Sequence, residues 1–164
     1  MSGNCRILSV VMLLLGLVLT FSVGAGATAT TSPLGSVARA TPTRSEYAVV
    51  RAMNTVRVSH GVRPLLVGSA LTRAARSHSV DMVHRGYFDH GAFVQRLRNF
   101  GVRAPYVGEN LAFGTKPLGA AAIVQMWMAS APHRLNLLDP AFRRIGIGVA
   151  GGTTKMVTAD FAGR

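Results

Sequence analysis

An α+β fold, with helices packed on a small and mostly antiparallel sheet, follows from three features of the sequence. Apolar residues recur every three or four positions in four segments, whereas toward the C-terminus the spacing changes to two on either side of Gly151-Gly152. The 164 residues are enough for one ordinary domain and too few for two. From Glu46, the residues Val49, Val50, Met53 and Val56 define a first helix over about 46–59, which Gly61 stops. Ser69 is a suitable N-cap for a second helix, on which Leu71, Ala75, His78 and Met82 share a face before Gly86 ends it. A short third helix over about 92–100 puts Phe93, Leu97 and Phe100 on one side. A fourth has Pro117 in its first turn, runs to about Met128 and carries Ile123, Val124 and Trp127 at helical spacing. Beyond it, Ile145, Ile147 and Val149 alternate with small residues, and Val157, Ala159 and Phe161 answer them across the glycine turn. A lone hairpin cannot bury its apolar face, and residues 106–113 are suited to be a third strand.

The N-terminus has the make-up of an export signal. Arg6 is followed by an almost wholly apolar run over residues 7–21 and by the small residues Ala25-Gly26-Ala27, so residues 1–27 are expected to be a signal peptide. An uncleaved N-terminal anchor fits a run of this length as well. The expected location is therefore secreted, extracellular or in the cell envelope, with membrane contact only if the signal stays attached. Residues 28–45 contain Pro33, Gly35, Pro42, many Ser and Thr and no acid, the composition of a disordered linker, and this leaves 46–164 as the folded domain. The only cysteine, Cys5, lies ahead of the apolar run, which excludes a disulfide framework, a four-cysteine zinc site and thiol catalysis.

Eighteen Lys and Arg against six Asp and Glu give a net charge of +12, but 49% of the residues are apolar, too many for a disordered polycation. Sixteen of the eighteen basic residues are arginines, spread along the chain with Arg143-Arg144 as the one adjacent pair. No specific nucleic-acid partner is expected from such a distribution, and the domain is expected to be a monomer.

Five histidines invite a metal reading, because neutral imidazole is the commonest transition-metal ligand. His60, His78, His84, His90 and His133 form no HExxH spacing, however. His90 and His133 stand apart from the others, each lying just beyond a periodic segment, in Tyr-Phe-Asp-His-Gly and Ser-Ala-Pro-His-Arg. Glu109 opens a strand-like run in Val-Gly-Glu-Asn-Leu; a salt bridge to one of the sixteen arginines is the structural alternative to a chemical role.

Several ordered segments together resemble a known family. Asn54-x-x-Arg57, Gly61 with Pro64-Leu65, Leu71 through Ala75 to His78 and Met82, Phe88-Asp89-His90, Gly108-Glu109-Asn110, Trp127-Met128-x-Ser130, His133-Arg134 and Ile145-Gly-Ile-Gly are similar to the CAP superfamily in its bacterial form without disulfides. This group, of cysteine-rich secretory proteins, antigen 5 and pathogenesis-related proteins of group 1, is also called the SCP domain. The resemblance implies an α-β-α sandwich with an open cleft lined by two histidines and two acids. His90 and His133 would be the histidines and Glu109 the first acid. The second acid of eukaryotic members falls on Ser130, which is placed either to fix the His133 ring through a hydrogen bond or to cap a turn beginning at Pro132.

Two further departures accompany that one: Ser-Ala-Pro-His in place of Ser-Pro-Gly-His, and only residues 91–95 between His90 and Arg96, where relatives carry a longer acidic segment. Asn110 and Asn136 are expected to hold loop backbone, and Trp127 to pack in the core. The resemblance leaves two functions open. One is a binding module for a lipid or other cell-envelope ligand. The other is a hydrolase of extracellular or wall polymers assisted by a divalent cation such as zinc, held by His90, His133 and Glu109 with water in the fourth place.

Overall fold

The computed structural model describes residues 40–115 and 118–164. The expected signal peptide, residues 28–39 of the expected linker and Pro117 lie outside the described residues. Nine elements follow one another: α1 (Arg44–Ser59), β1 (Leu66–Val67), α2 (Ser69–Arg85), α3 (Phe93–Asn99), β2 (Tyr106–Gly114), α4 (Ala120–Ala129), α5 (Ala131–Leu138), β3 (Phe142–Ala150) and β4 (Lys155–Gly163). The four strands form one sheet in the order β1-β3-β4-β2, with β1 parallel to β3 and the other pairings antiparallel. The fold is thus the expected α+β sandwich with a mostly antiparallel sheet.

The two faces of the sheet carry different layers. Ile145 and Ile147 of β3 and Val157, Ala159 and Phe161 of β4 point toward α1, α4 and α5, where Val49, Met53, Ile123, Trp127 and Leu137 close the main core. Trp127 is fully buried, as its spacing implied, and its indole N–H donates to the Leu111 carbonyl at 2.9 Å, which ties α4 to β2. On the other face, Leu71 and Ala74 of α2 and Leu97 of α3 pack on Ala162, while Met82 meets Leu111 and Met156. Both faces are covered, so β4 is buried over its seven central residues.

Helix α2 reaches this face by backbone contact with β3. A Cβ at Gly146 would stand 2.1 Å from the Leu71 carbonyl carbon, and one at Gly148 would stand 2.3 Å from that of Ala75. These two glycines, two apart on one strand face, form the groove in which a helix with Ala74 and Ala75 at its contact surface can lie. The Ser79 hydroxyl fastens the far end, donating to the Gly148 carbonyl at 3.0 Å.

A buried arginine closes the opposite layer. Arg57 is fully buried and donates to four carbonyls, those of Arg63 at 2.8 Å, Leu137 at 2.7 Å, Asp139 at 3.1 Å and Phe142 at 3.3 Å. One guanidinium thereby joins the end of α1 to the end of α5 and the start of β3.

Several boundaries differ from those the sequence suggests. Helix α1 starts at Arg44, because Thr43 caps it with Glu46 in a reciprocal capping box; Glu46 also pairs with Arg76 of α2 at 2.7 Å. Gly68, not Ser69, is the N-cap of α2, and Ser69 is its first helical residue. Helix α4 begins at Ala120. The turn expected at Pro132 is a full helix, α5, and β1 carries no alternation by which a two-residue strand is recognised.

Two outcomes test these contacts. Gly146→Ala is expected to lower stability by about 3 kcal/mol in thermal or denaturant unfolding, whereas Gly152→Ala, with open space around it, stays within about 0.5 kcal/mol of the parent. Arg57→Met, which leaves four carbonyls without their donor, is expected to cost about 3 kcal/mol or more by the same measurement.

Candidate functional site

Glu109 lies in the middle of β2, directly opposite Asp160 of β4, which is in turn opposite Gly146 of β3. Period-two geometry points Glu109 and Asp160 to the α2 face, and the close approach of α2 seals them from water. Asp160 is fully buried and the Glu109 side chain is only 2% exposed.

His90 comes from the loop between α2 and α3. Two hydrogen bonds hold that loop: the His78 Nε2–H donates to the Asp89 carbonyl at 2.8 Å, and Arg96 Nη1 donates to the His90 carbonyl at 3.1 Å. Gly91, at φ 56°, turns the chain between them, with its N–H on the Asp89 carboxylate at 2.7 Å. The His90 ring is 54% exposed and places Nδ1 2.7 Å from Glu109 Oε1. Arg96, in α3, donates to the other oxygen, Oε2, and its Nη2 stands 3.6 Å from Asp160 Oδ1. Because only five residues separate His90 from Arg96, the loop before α3 and the helix itself supply the two groups that flank Glu109.

His133 is presented by the first turn of α5. Asn110 Nδ2 donates to its carbonyl at 2.9 Å, and Asn136 Nδ2 donates to the Glu109 carbonyl at 3.2 Å and to the Asn110 amide oxygen at 3.0 Å. The two asparagines therefore have the backbone-holding role expected of them, and they join β2 to α5. Ser130 occupies the N-cap position of α5, as the capping alternative placed it, but without a side-chain bond. Its hydroxyl makes no capping bond and donates nothing to His133; the Ser130 backbone forms the joint, with its N–H on Trp127 and its carbonyl accepting from Arg134 at 2.8 Å.

The electrostatics are those of a dry carboxyl pair beside a guanidinium. Burial pushes the Glu109 carboxyl up to about 7, against the pull of Arg96, and holds Asp160 well above the usual carboxylate range, with the Glu109 charge adding to the effect. Neither Asp160 oxygen accepts a bond from an N–H or hydroxyl donor among the described residues. Two buried carboxyl groups on facing strand positions disfavour each other's ionisation, so burial pushes both upward and the Glu109 charge pushes Asp160 further. Burial, then Arg96, pushes His78 down to about 4, which leaves a neutral ring that donates from Nε2. His133 is lowered from the ordinary histidine range by burial and then by the charge of the nearby His90.

Of the residues the sequence pointed to, His90 and Glu109 are in contact, and His133 lies near enough to His90 to be affected by its charge. The sequence reading missed Arg96 and Asp160. The signal for Asp160 was present, a carboxylate at a strand position whose neighbours are all apolar or small. The three-ligand cation site expected at His90, Glu109 and His133 is not what the residues form. Both Glu109 oxygens are engaged, one by His90 and one by Arg96. Among the described residues no group of three or more His, Cys, Asp or Glu is arranged to hold a metal ion.

A sheet between helical layers, with a histidine and a buried glutamate meeting at the edge of β2, defines an SCP-type domain. The chain belongs to the CAP family, the cysteine-rich secretory protein family, whose sequence pattern matches residues 50–161. It is similar to the Bacillus subtilis protein YkwD, 37% identical over 108 residues that make up 63% of this chain and 41% of that one. The Bacillus subtilis membrane protein YlbC is 32% identical over 112 residues, 65% of this chain and 32% of its own. The chain thus spans well under half the length of these curated relatives. Among solved structures, an extracellular SCP-domain protein from Bacillus anthracis superposes with a TM-score of 0.67 at 29% identity, over 73% of this chain and 40% of that one.

The raised Glu109 pKa sets a pH dependence. The folded chain binds this proton more tightly than the unfolded chain, so the stabilisation is complete below about pH 4.5 and is lost as the pH rises through about 7. Glu109→Gln removes that dependence. Relative to the parent, the variant is expected to gain up to about 1.4 kcal/mol per pH unit across the window, measured by denaturant unfolding. The opposite contribution of His78, whose pKa is lowered, is present in both chains and cancels in the difference.

Proposed function

We propose that the chain is an exported binding module that holds a lipid or other cell-envelope ligand at the His90, Glu109 and His133 surface. The observation that carries this reading is the engagement of Glu109. A general base needs a free carboxylate within reach of substrate, whereas this one is 2% exposed and committed on both oxygens. What faces outward is the half-exposed His90 ring beside His133, a hydrogen-bonding surface without a nucleophile. Such a surface suits a polar head group held by its donors and acceptors.

Two further features support a lipid in particular. A groove of about 700 Å³ between α1 and β1 is lined by Tyr47, Val50, Val58, Leu65, Leu66 and Val67, and four of these side chains are large and exposed. The groove lies beside β1, at the sheet edge opposite β2, so it would take an acyl chain as a separate surface and not as a continuation of the His90 site. Export is supported by the apolar N-terminal run and by the extracellular description of the Bacillus anthracis relative.

Titration of a fluorescent fatty acid and of anionic phospholipid vesicles tests the proposal. Saturable binding is expected, weakened at least tenfold in His90→Ala with unchanged thermal unfolding. Absence of saturable binding to either probe overturns the lipid reading.

A further inference from the structure

Two of the six carboxyl groups of this chain stand side by side on the edge strand β2 and its neighbour β4, with a histidine at the rim. Carboxylates and imidazole are the ligand types of divalent cations, yet among the described residues these groups are not arranged to hold one. The cation that stands among them is Arg96. Its Nη2 donates to Glu109 Oε2 and lies 3.6 Å from Asp160 Oδ1, its Nη1 donates to the His90 carbonyl at 3.1 Å, and the side chain is only 12% exposed.

We infer that Arg96 is a resident cation of the cleft, a positioning residue whose guanidinium takes the place of a metal ion between Glu109 and Asp160 and so fixes His90. The assignment holds whatever the cleft binds. A guanidinium is permanently protonated and planar, so one rigid fork binds the Glu109 carboxylate through Nη2 and the His90 carbonyl through Nη1, with Asp160 Oδ1 3.6 Å from Nη2, an arrangement that a lysine ammonium reproduces in charge but not in shape. The sequence supplies the means in the short loop of residues 91–95, which starts α3 early enough for Arg96 to reach β2 and β4. Arg96 also touches both ends of the His90 residue, through its carbonyl directly and through its ring by way of Glu109. The loop is thereby held at the histidine itself. A metal ion entering the same place would have to displace this positive charge, and the site is built to work without one.

The test is a calorimetric titration of zinc chloride into the full chain, beside Arg96→Met and Arg96→Lys. The parent and Arg96→Lys are expected to show no one-to-one zinc binding that depends on Glu109. Arg96→Met, with the carboxyl pair uncovered, is expected to bind one zinc at least tenfold more tightly than the parent, and Glu109→Gln added to it abolishes the gain. A second measurement needs no folded variant. In nitrogen-15 spectra of the arginine side chains, the Arg96 Nη groups are expected to give separate signals from restricted rotation, while exposed arginines give averaged ones. One-to-one zinc binding by the parent that Glu109→Gln removes, a folded Arg96→Met that takes up no zinc, or averaged Nη signals for Arg96 would each overturn the inference.

Discussion

Helix α2 meets strand β3 backbone to backbone, and the site exists because of that contact. At Gly146 and Gly148 the sheet has no side chains to hold the helix away, so the helix descends until Leu71, Thr72 and Ala75 touch the strand. The face that would otherwise look into water becomes a second interior. Asp160, directly opposite Gly146, is covered by the same approach, and its neighbour Glu109 shares the dry environment. The elevated protonation of both acids follows from geometry set by two missing side chains several ångströms away.

The polar groups around that pair act as a unit. Arg96 satisfies one oxygen of Glu109 and His90 the other, and burial beside Glu109 holds Asp160 well above the usual carboxylate range. On the opposite side of β2, Asn110 and Asn136 connect the strand to α5 and carry His133 toward the same rim. Two loops from two different layers thus converge on one strand, and each is fixed by side-chain hydrogen bonds to backbone rather than by apolar packing. A buried network of this kind gives definite orientation to groups that would be mobile on an open surface.

How much of this was legible in the sequence differs by element. Helices α1, α2 and α4 were plain, because each buries a stripe at helical spacing; β3 and β4 were plain on the face toward α1. The reverse face was not, since Thr158 and Asp160 read as solvent-facing positions of a half-buried strand, whereas β4 is central and covered on both sides. Helix α5 escaped notice because only Leu137 is buried and Leu135 is 73% exposed, so no apolar stripe marks it. Arg96 was one arginine among sixteen, and nothing local distinguishes it. The salt-bridge alternative considered for Glu109 is realised by that residue. His90, Glu109 and His133 were found by resemblance more than by chemistry.

The hydrogen bonds of Arg57 also decide where this chain tolerates lengthening. Its four acceptors sit at Arg63, Leu137, Asp139 and Phe142, so the connection after α1 and the connection between α5 and β3 are measured against one rigid fork. An added residue in either connection would carry at least one carbonyl out of reach. The hairpin tip over residues 151–154 is under no such restraint from the rest of the fold, being exposed throughout. A label, an affinity tag or a natural insertion belongs there, on an edge of the molecule where it leaves both layers undisturbed.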